Sequence, residues 1–209
     1  MKLNDFIDEI HANAVAHGWW EEERPYGEVL ALVHSEWSEA LEEYRAGRPM
    51  VWHLCCMDGE TVCDTMGGES DGVMFGCTLD HKKCVHLNSK PEGIAVELAD
   101  GVIRIFDYFG HAGTKYEEDV DIDEAINVLP DEVKANIPTM SFPDFINLLH
   151  IMTVFACTSN TTEDNIRHLD DAVAAVLLWI KTQGIDPLEI MQQKHEYNKT
   201  RPYKHGKVC

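Results

Sequence analysis

The segment from Glu92 to Phe109 constrains the fold of this chain more than any other. Read as a helix, it puts Ile94, Leu98, Val102, Ile105 and Phe109 on one side and Val96 and Ile103 on another. Apolar residues thus cover most of its circumference, and a helix of that kind belongs in the middle of a bundle. Its one polar stripe is Glu97, Asp100, Arg104 and Asp107. Burying that stripe without partners is costly, so other parts of the chain must compensate it.

The sequence around this segment predicts an all-α bundle. Residues 4 to 17 carry Phe6, Ile7, Ile10, Ala14 and Val15 at helical spacing, with Asn4 as a cap and Gly18 as the stop. A second helix begins after Arg24-Pro25-Tyr26-Gly27 and runs to about Arg45, because Leu30, Val33, Trp37, Leu41 and Tyr44 fall within an arc of about 80°. Pro91 opens the central helix. A short amphipathic stretch spans Asp123 to Leu129, and Pro130, Pro138 and Pro143 punctuate the segment after it. Further helices are expected at Asp144 to Cys157, Glu163 to Thr182 and Asp186 to Asn198, the last with Pro187 in its first turn.

The later helices read as a worn copy of the earlier pair. Ala31-Leu-Val-His34-Ser-Glu36-Trp-Ser-Glu39-Ala40 aligns with Asn147-Leu-Leu-His150-Ile-Met152-Thr-Val-Phe155-Ala156, and Leu98-Ala-Asp100-Gly-Val102 with Leu169-Asp-Asp171-Ala-Val173. On this alignment Glu36, Glu39 and Glu97 become Met152, Phe155 and His168. The competing reading is that two amphipathic helix pairs resemble each other by chance.

A formal net charge of −20, from 37 acidic and 17 basic residues, argues against a nucleic-acid partner, which needs a basic face. An anionic small molecule would also be repelled unless a bound cation, or a cluster such as Lys194, Lys199, Arg201 and Lys204, offsets the field. The first 20 residues place acids among their apolar positions, which is not the pattern of a signal peptide. No apolar run approaches the roughly 20 residues of a membrane span. A cytoplasmic protein without a membrane partner is therefore expected.

On the second helix Glu36, Glu39 and Glu43 share an edge beside the apolar arc. Alone, such a pattern reads as a solvated acidic face. Beside the Glu97 and Asp100 stripe it gains another meaning, because two acid pairs at i, i+3 on neighbouring helices can turn toward each other. Four carboxylates, Glu36, Glu39, Glu97 and Asp100, supply hard oxygen ligands for Mg²⁺ or Mn²⁺ and leave positions for water and phosphate. A di-iron bundle would call for Glu-x-x-His pairs, and neither helix pair contains one.

These residues carry a resemblance. His34-Ser-Glu36-Trp-Ser-Glu39-Ala-Leu-Glu-Glu43, Glu97-Leu-Ala-Asp100 and Lys194-His-Glu-Tyr-Asn198-Lys-Thr-Arg201-Pro-Tyr203-Lys-His-Gly206 resemble the MazG-like all-α nucleoside triphosphate pyrophosphohydrolases. The resemblance covers about residues 5 to 47, 91 to 110 and the last 20, and implies one MazG-like domain over 1–209, with catalytic helices in 1–48 and 91–110 and a phosphate-binding motif in 186–209; the internal alignment adds a degenerate second helix pair in 139–183. It implies that Glu36, Glu39, Glu97 and Asp100 hold Mg²⁺ while water attacks between the α- and β-phosphates, giving a nucleoside monophosphate and pyrophosphate. Glu36 and Glu39 are then the catalytic pair, with Glu39 the choice for orienting or deprotonating the water. Lys194, Asn198 and Arg201 would bind phosphate, the competing reading being an ordinary basic tail. Trp19 and Trp20 would stack on a base, or else cap the bundle as buried aromatics. The chain departs from the family in separating Glu39 from Glu97 by 57 residues and in placing the Lys/Asn/Arg motif after the second pair. Whether it forms the family's homodimer is left open by that pseudo-partner, and a non-catalytic nucleotide- or metal-sensing module is the alternative to an enzyme.

Residues 49–90 lose helical periodicity and read as an irregular Cys/His-rich insertion, with short strands near Thr61-Val62 and Val73-Met74-Phe75. Cys55, Cys56, Cys63, Cys77 and Cys84, with His53, His81 and His86, offer soft ligands for a structural Zn²⁺. No Cys-x-x-Cys occurs, so free thiols compete with zinc, and a disulfide does not suit a reducing cytosol.

Overall fold

A computed structural model describes residues 2–54, 62–64, 90–116, 120–158 and 161–206. Among them eight α-helices dominate: α1 (Leu3–Ala16), α2 (Tyr26–Arg45), α3 (Ile94–Ala112), α4 (Ile122–Ile126), α5 (Asp131–Asn136), α6 (Phe142–Thr158), α7 (Thr162–Thr182) and α8 (Pro187–Lys199). The all-α expectation holds at that level. No helix among the described residues is long and apolar enough to cross a membrane.

The central helix is α3, which packs against α1, α2, α7 and α8. Its flanks are apolar because its neighbours are: Phe6 and Ile10 from α1, Val33 and Trp37 from α2, Val173 and Leu177 from α7 are all buried with it. Close approach to α2 depends on Gly101. A Cβ there would lie 2.3 Å from Trp37 Cζ3, so only glycine lets the indole come this close to the α3 backbone. Trp37 is itself pinned, its Nε1 donating to Thr153 Oγ1 on α6 at 3.1 Å.

Helices α2 and α6 run antiparallel. The Tyr26 hydroxyl at the start of α2 donates to Ala156 O near the end of α6 at 3.2 Å, while Tyr44 at the end of α2 packs on Phe142 at the start of α6 with ring centroids 4.9 Å apart. Midway, His34 and His150 stack with Nδ1 atoms 2.8 Å apart.

Several local expectations are corrected. Asn4 does not cap α1, which begins at Leu3 behind Lys2. Its amide instead clasps the backbone of Tyr116, with Nδ2 donating to Tyr116 O at 3.1 Å and Oδ1 accepting from Tyr116 N at 3.0 Å. Pro91 does not open α3 either. Pro91–Glu92 forms a short strand, β3, beside β1 (Trp52–Leu54), which pairs on its other edge with β2 (Val62–Asp64), all antiparallel. Gly93 comes next at φ +116°, where a Cβ would meet Met50 O at 2.6 Å, and the helix starts after it. The strand near residue 62 thus exists at Val62–Asp64, and the expected strand at 73–75 lies outside the described residues. Helix α5 has no counterpart in the sequence reading. Helix α6 starts two residues early because Pro143 is tolerated in its first turn.

Candidate metal and phosphate site

The polar stripe of α3 meets its compensation from α2 and α8. Glu36 on α2 and Glu97 and Asp100 on α3 are all buried, and one carboxylate oxygen of each lies within 4.8 Å of the others. Around a metal with oxygens at about 2.1 Å, opposite ligands stand about 4.2 Å apart, so this trio fits a single hard cation with small closure. All-oxygen donors suit Mg²⁺ or Mn²⁺ over the softer transition metals.

Three groups hold the trio from the side. Arg104 Nε, one turn along α3, donates to Glu36 Oε1 at 2.5 Å. Lys194 on α8 is only 1% exposed, and its Nζ sits 3.6 Å from Glu97 Oε2 and 3.4 Å from Asp100 Oδ2. Asn198, a turn further on α8, donates from Nδ2 to Asp100 Oδ1 at 3.3 Å. Its Oδ1 is buried without a hydrogen-bond partner among the described residues, an acceptor facing a site where a cation or its water would satisfy it. Glu39, the fourth expected ligand, stays exposed, with Ser35 Oγ donating to its Oε1 at 3.2 Å. It is the one member of the expected quartet that is not gathered in.

Electrostatics follow from this burial. Glu36 is pushed up to about 7 by burial and by the nearby Asp100 charge, against the pull of Arg104. Glu97 is pushed up to about 8, again by burial first, with Lys194 opposing. Burial would raise Asp100 too, but Lys194, Arg104 and the Asn198 hydrogen bond outweigh it and hold it below the ordinary carboxylate range. Lys194 and Arg104 remain cationic because the carboxylates around them more than offset their burial. Without a metal, the site therefore combines two fixed cations with acids that hold protons near neutrality.

A cleft beside the trio is lined by Trp19, Arg24, Asp100, Arg104, Asn198 and Arg201, among others. Arg201 arrives there because the chain after α8 folds back over α1: His17 Nε2 contacts Arg201 O at 3.0 Å, Lys204 N donates to His17 O at 3.0 Å, and Tyr203 lies over Gly18, whose φ is +82°. Of the three expected phosphate binders, Arg201 and Asn198 line the cleft, whereas Lys194 is committed to the acids. Of the two tryptophans, Trp19 lines the cleft. Trp20 donates from Nε1 to Asp107 Oδ1 at 2.8 Å and stacks on His111 at 3.8 Å, so it also serves the packing role weighed against base stacking.

Two cations at the site, Arg104 and Arg24, stand outside the expected ligand and phosphate-binding residues. Arg104 was legible as the basic member of the α3 stripe. Arg24 had no such signal, because it stands in the turn before α2 and its position depends on tertiary packing. It sits 5.4 Å over the Trp19 ring and 5.5 Å over the Trp20 ring and donates from Nε to Glu28 Oε1 at 2.9 Å. Of the expected zinc ligands, Cys55, Cys56, Cys77 and Cys84 lie outside the described residues. Cys63 is placed only by its backbone, opposite His53 in the β1–β2 pairing.

No protein-family model, no curated protein and no solved structure matches the chain.

Proposed function

We propose that this chain is a Mg²⁺-dependent nucleoside triphosphate pyrophosphohydrolase of the MazG-like all-α kind, cleaving a (d)NTP to its monophosphate and pyrophosphate in nucleotide housecleaning or pool control. The observation that carries the reading is the convergence of Glu36, Glu97 and Asp100 from two helices, joined by Lys194 and Asn198 from a third. A bound Mg²⁺ would neutralise phosphate charge and polarise the bridging oxygens. In this reading Glu36, Glu97 and Asp100 hold the cation, and Arg104 and Lys194 keep those carboxylates oriented. Arg201 binds a phosphate oxygen, and Glu39, exposed one turn along α2 from Glu36, takes the proton of the attacking water. A cytoplasmic setting suits such a substrate.

The antiparallel meeting of α2 and α6 supports the reading of α6 and α7 as a degenerate second pair. His34 and His150, equivalent in the internal alignment, meet each other, as residues on the axis of an isologous contact do. Tyr26 and its equivalent Phe142 each reach the far end of the opposite helix. A chain that carries its own pseudo-partner has less need of a homodimer.

Incubation with a nucleotide panel and Mg²⁺ should release pyrophosphate and not single phosphates. Substituting Glu39→Gln should reduce turnover by a factor of about 10² or more with the helical signal unchanged. Absence of turnover for every triphosphate would instead favour a metal- or nucleotide-sensing module.

A further inference from the structure

A cavity of about 540 Å³ opens at the far end of α3 from Glu97, walled by Trp20, Arg24, Tyr26, Tyr108 and His111, with Glu23 at its rim. Half of its lining residues are planar rings: Trp20 and His111 stack 3.8 Å apart at 11°, and Tyr26 and Tyr108 have centroids 5.1 Å apart. The volume lies within the range of small-molecule sites. Four rings with few charges among them form a surface suited to a flat aromatic ligand.

The cavity adjoins the acid site through shared wall residues. Arg24 borders it, the cleft that contains Asp100 and Arg201, and a small third hollow. Trp20 borders the cavity and the hollow, while Arg104 and Asp107 border the hollow and the cleft. Along α3, Asp100 and Tyr108 are separated by about 12 Å of helix rise. The shared residues therefore lead from the carboxylates through the arginines to the aromatic rings. Arg24 stands in the middle of that arrangement, its guanidinium held by Glu28: Nε donates to Glu28 Oε1 at 2.9 Å and Nη2 pairs with the same oxygen at 2.9 Å.

We propose that this cavity is the seat of the nucleobase, held against the rings of Trp20, Tyr108 and His111, with the positive charge of Arg24 facing the phosphate or sugar oxygens that link it to the metal site. The proposal rests on the nucleotide reading above and adds the location of the base. Glu23, the one carboxylate on the cavity wall, would accept from an exocyclic amino group and so favour amino-bearing bases.

The test compares full-length protein binding two probes with Mg²⁺ by titration calorimetry: inorganic tripolyphosphate, and ATP or CTP analogues carrying an uncleavable α,β-imido bridge. The imido nucleotides should bind at least tenfold tighter than tripolyphosphate. Tyr108→Ala should reduce their affinity about 5- to 100-fold, the range for one lost stacking ring, and leave tripolyphosphate binding unchanged. His111→Ala, read the same way, provides a second variant should Tyr108→Ala fail to fold. Equal affinity for the two probes, or nucleotide binding indifferent to both substitutions, overturns the cavity assignment while the metal and phosphate reading stands. If neither probe binds, both readings fall.

Discussion

Replacing Gly101 by alanine should loosen the contact that holds α2 against α3. The new methyl would stand 2.3, 2.6 and 2.9 Å from Trp37 Cζ3, Cη2 and Cε3. The indole has nowhere to retreat, since it is fully buried and its Nε1 is bonded to Thr153, whose Oγ1 in turn donates to Leu149 O at 2.8 Å. Overpacking of this kind costs about 1–3 kcal/mol, and pulling the indole off Thr153 adds about 1 kcal/mol. Alanine returns about 1 kcal/mol in helix propensity. The net loss is then about 2 kcal/mol, or a fall in melting temperature of about 4–8 °C for a domain of this size. Urea titration followed by circular dichroism measures the loss directly. Trp37→Phe in the Gly101→Ala background removes the clashing ring edge, so the double variant should be more stable than the sum of the two single losses predicts. Gly101 also stands next to Asp100, and the wedge would widen the gap to Glu36 and weaken Mg²⁺ binding. A Gly101→Ala protein as stable as the parent, or strict additivity in the cycle, would refute the packing argument.

The charges of the site set further outcomes. Because Glu36 and Glu97 lie near 7 and 8 in the metal-free protein, Mg²⁺ must displace protons to bind near neutrality. Calorimetry in buffers of different ionisation enthalpy should detect proton release at pH 6.5 and almost none at pH 9, and no release at pH 6.5 would contradict the assigned ligands. Both acids are raised above their unfolded values, so their contribution to metal-free stability is present in acid and lost as the pH climbs through 7 to 8; Mg²⁺ should restore stability there. Lys194→Met should cost about 3–5 kcal/mol without metal, since it strips a buried counter-charge, and saturating Mg²⁺ should recover much of it in a thermal melt. Asp170, which accepts from the Tyr116 hydroxyl at 2.7 Å, is raised by burial to about 6. Its stabilising share is complete below about pH 4 and lost as pH rises through 6, so Asp170→Asn should flatten the stability profile over that window by about 2–3 kcal/mol, which urea titrations at several pH values would detect.

The central helix and its stripe were legible because they depend on local periodicity. Apolar residues on most sides of α3, broken by a single charged line, read as a buried helix, and the i, i+3 spacing fixed which acids would share a face. What escaped the sequence is what distance along the chain decides. Nothing local marks Arg24, whose place over Trp19 and Trp20 depends on how the turn before α2 packs. The spacing of the C-terminal motif draws Lys194 to the site, but its commitment to Glu97 and Asp100 depends on the depth at which α8 docks. Asn4 looks like a cap because caps are local statistics, whereas its partner, Tyr116, lies 112 positions away. The start of α3 is hidden for a similar reason. A proline before a helix is a good opening signal, but Pro91 pairs with His53 in a strand, and the backbone of residues 49 and 50 crowds Gly93 behind it.

The late position of α8 in the chain bears on how the protein reaches its native state. Asn198 and Asp100 are 98 positions apart, so α1 to α3 can pack long before Lys194 is available to them, and closing so large a loop is slow. During that interval Glu97 and Asp100 stand in an apolar surface without the Lys194 counter-charge. A divalent cation present at that stage would act as a temporary counter-ion that lets the central helix settle. Refolding would then proceed faster in Mg²⁺ than in chelator, and the acids would serve assembly before they serve any substrate.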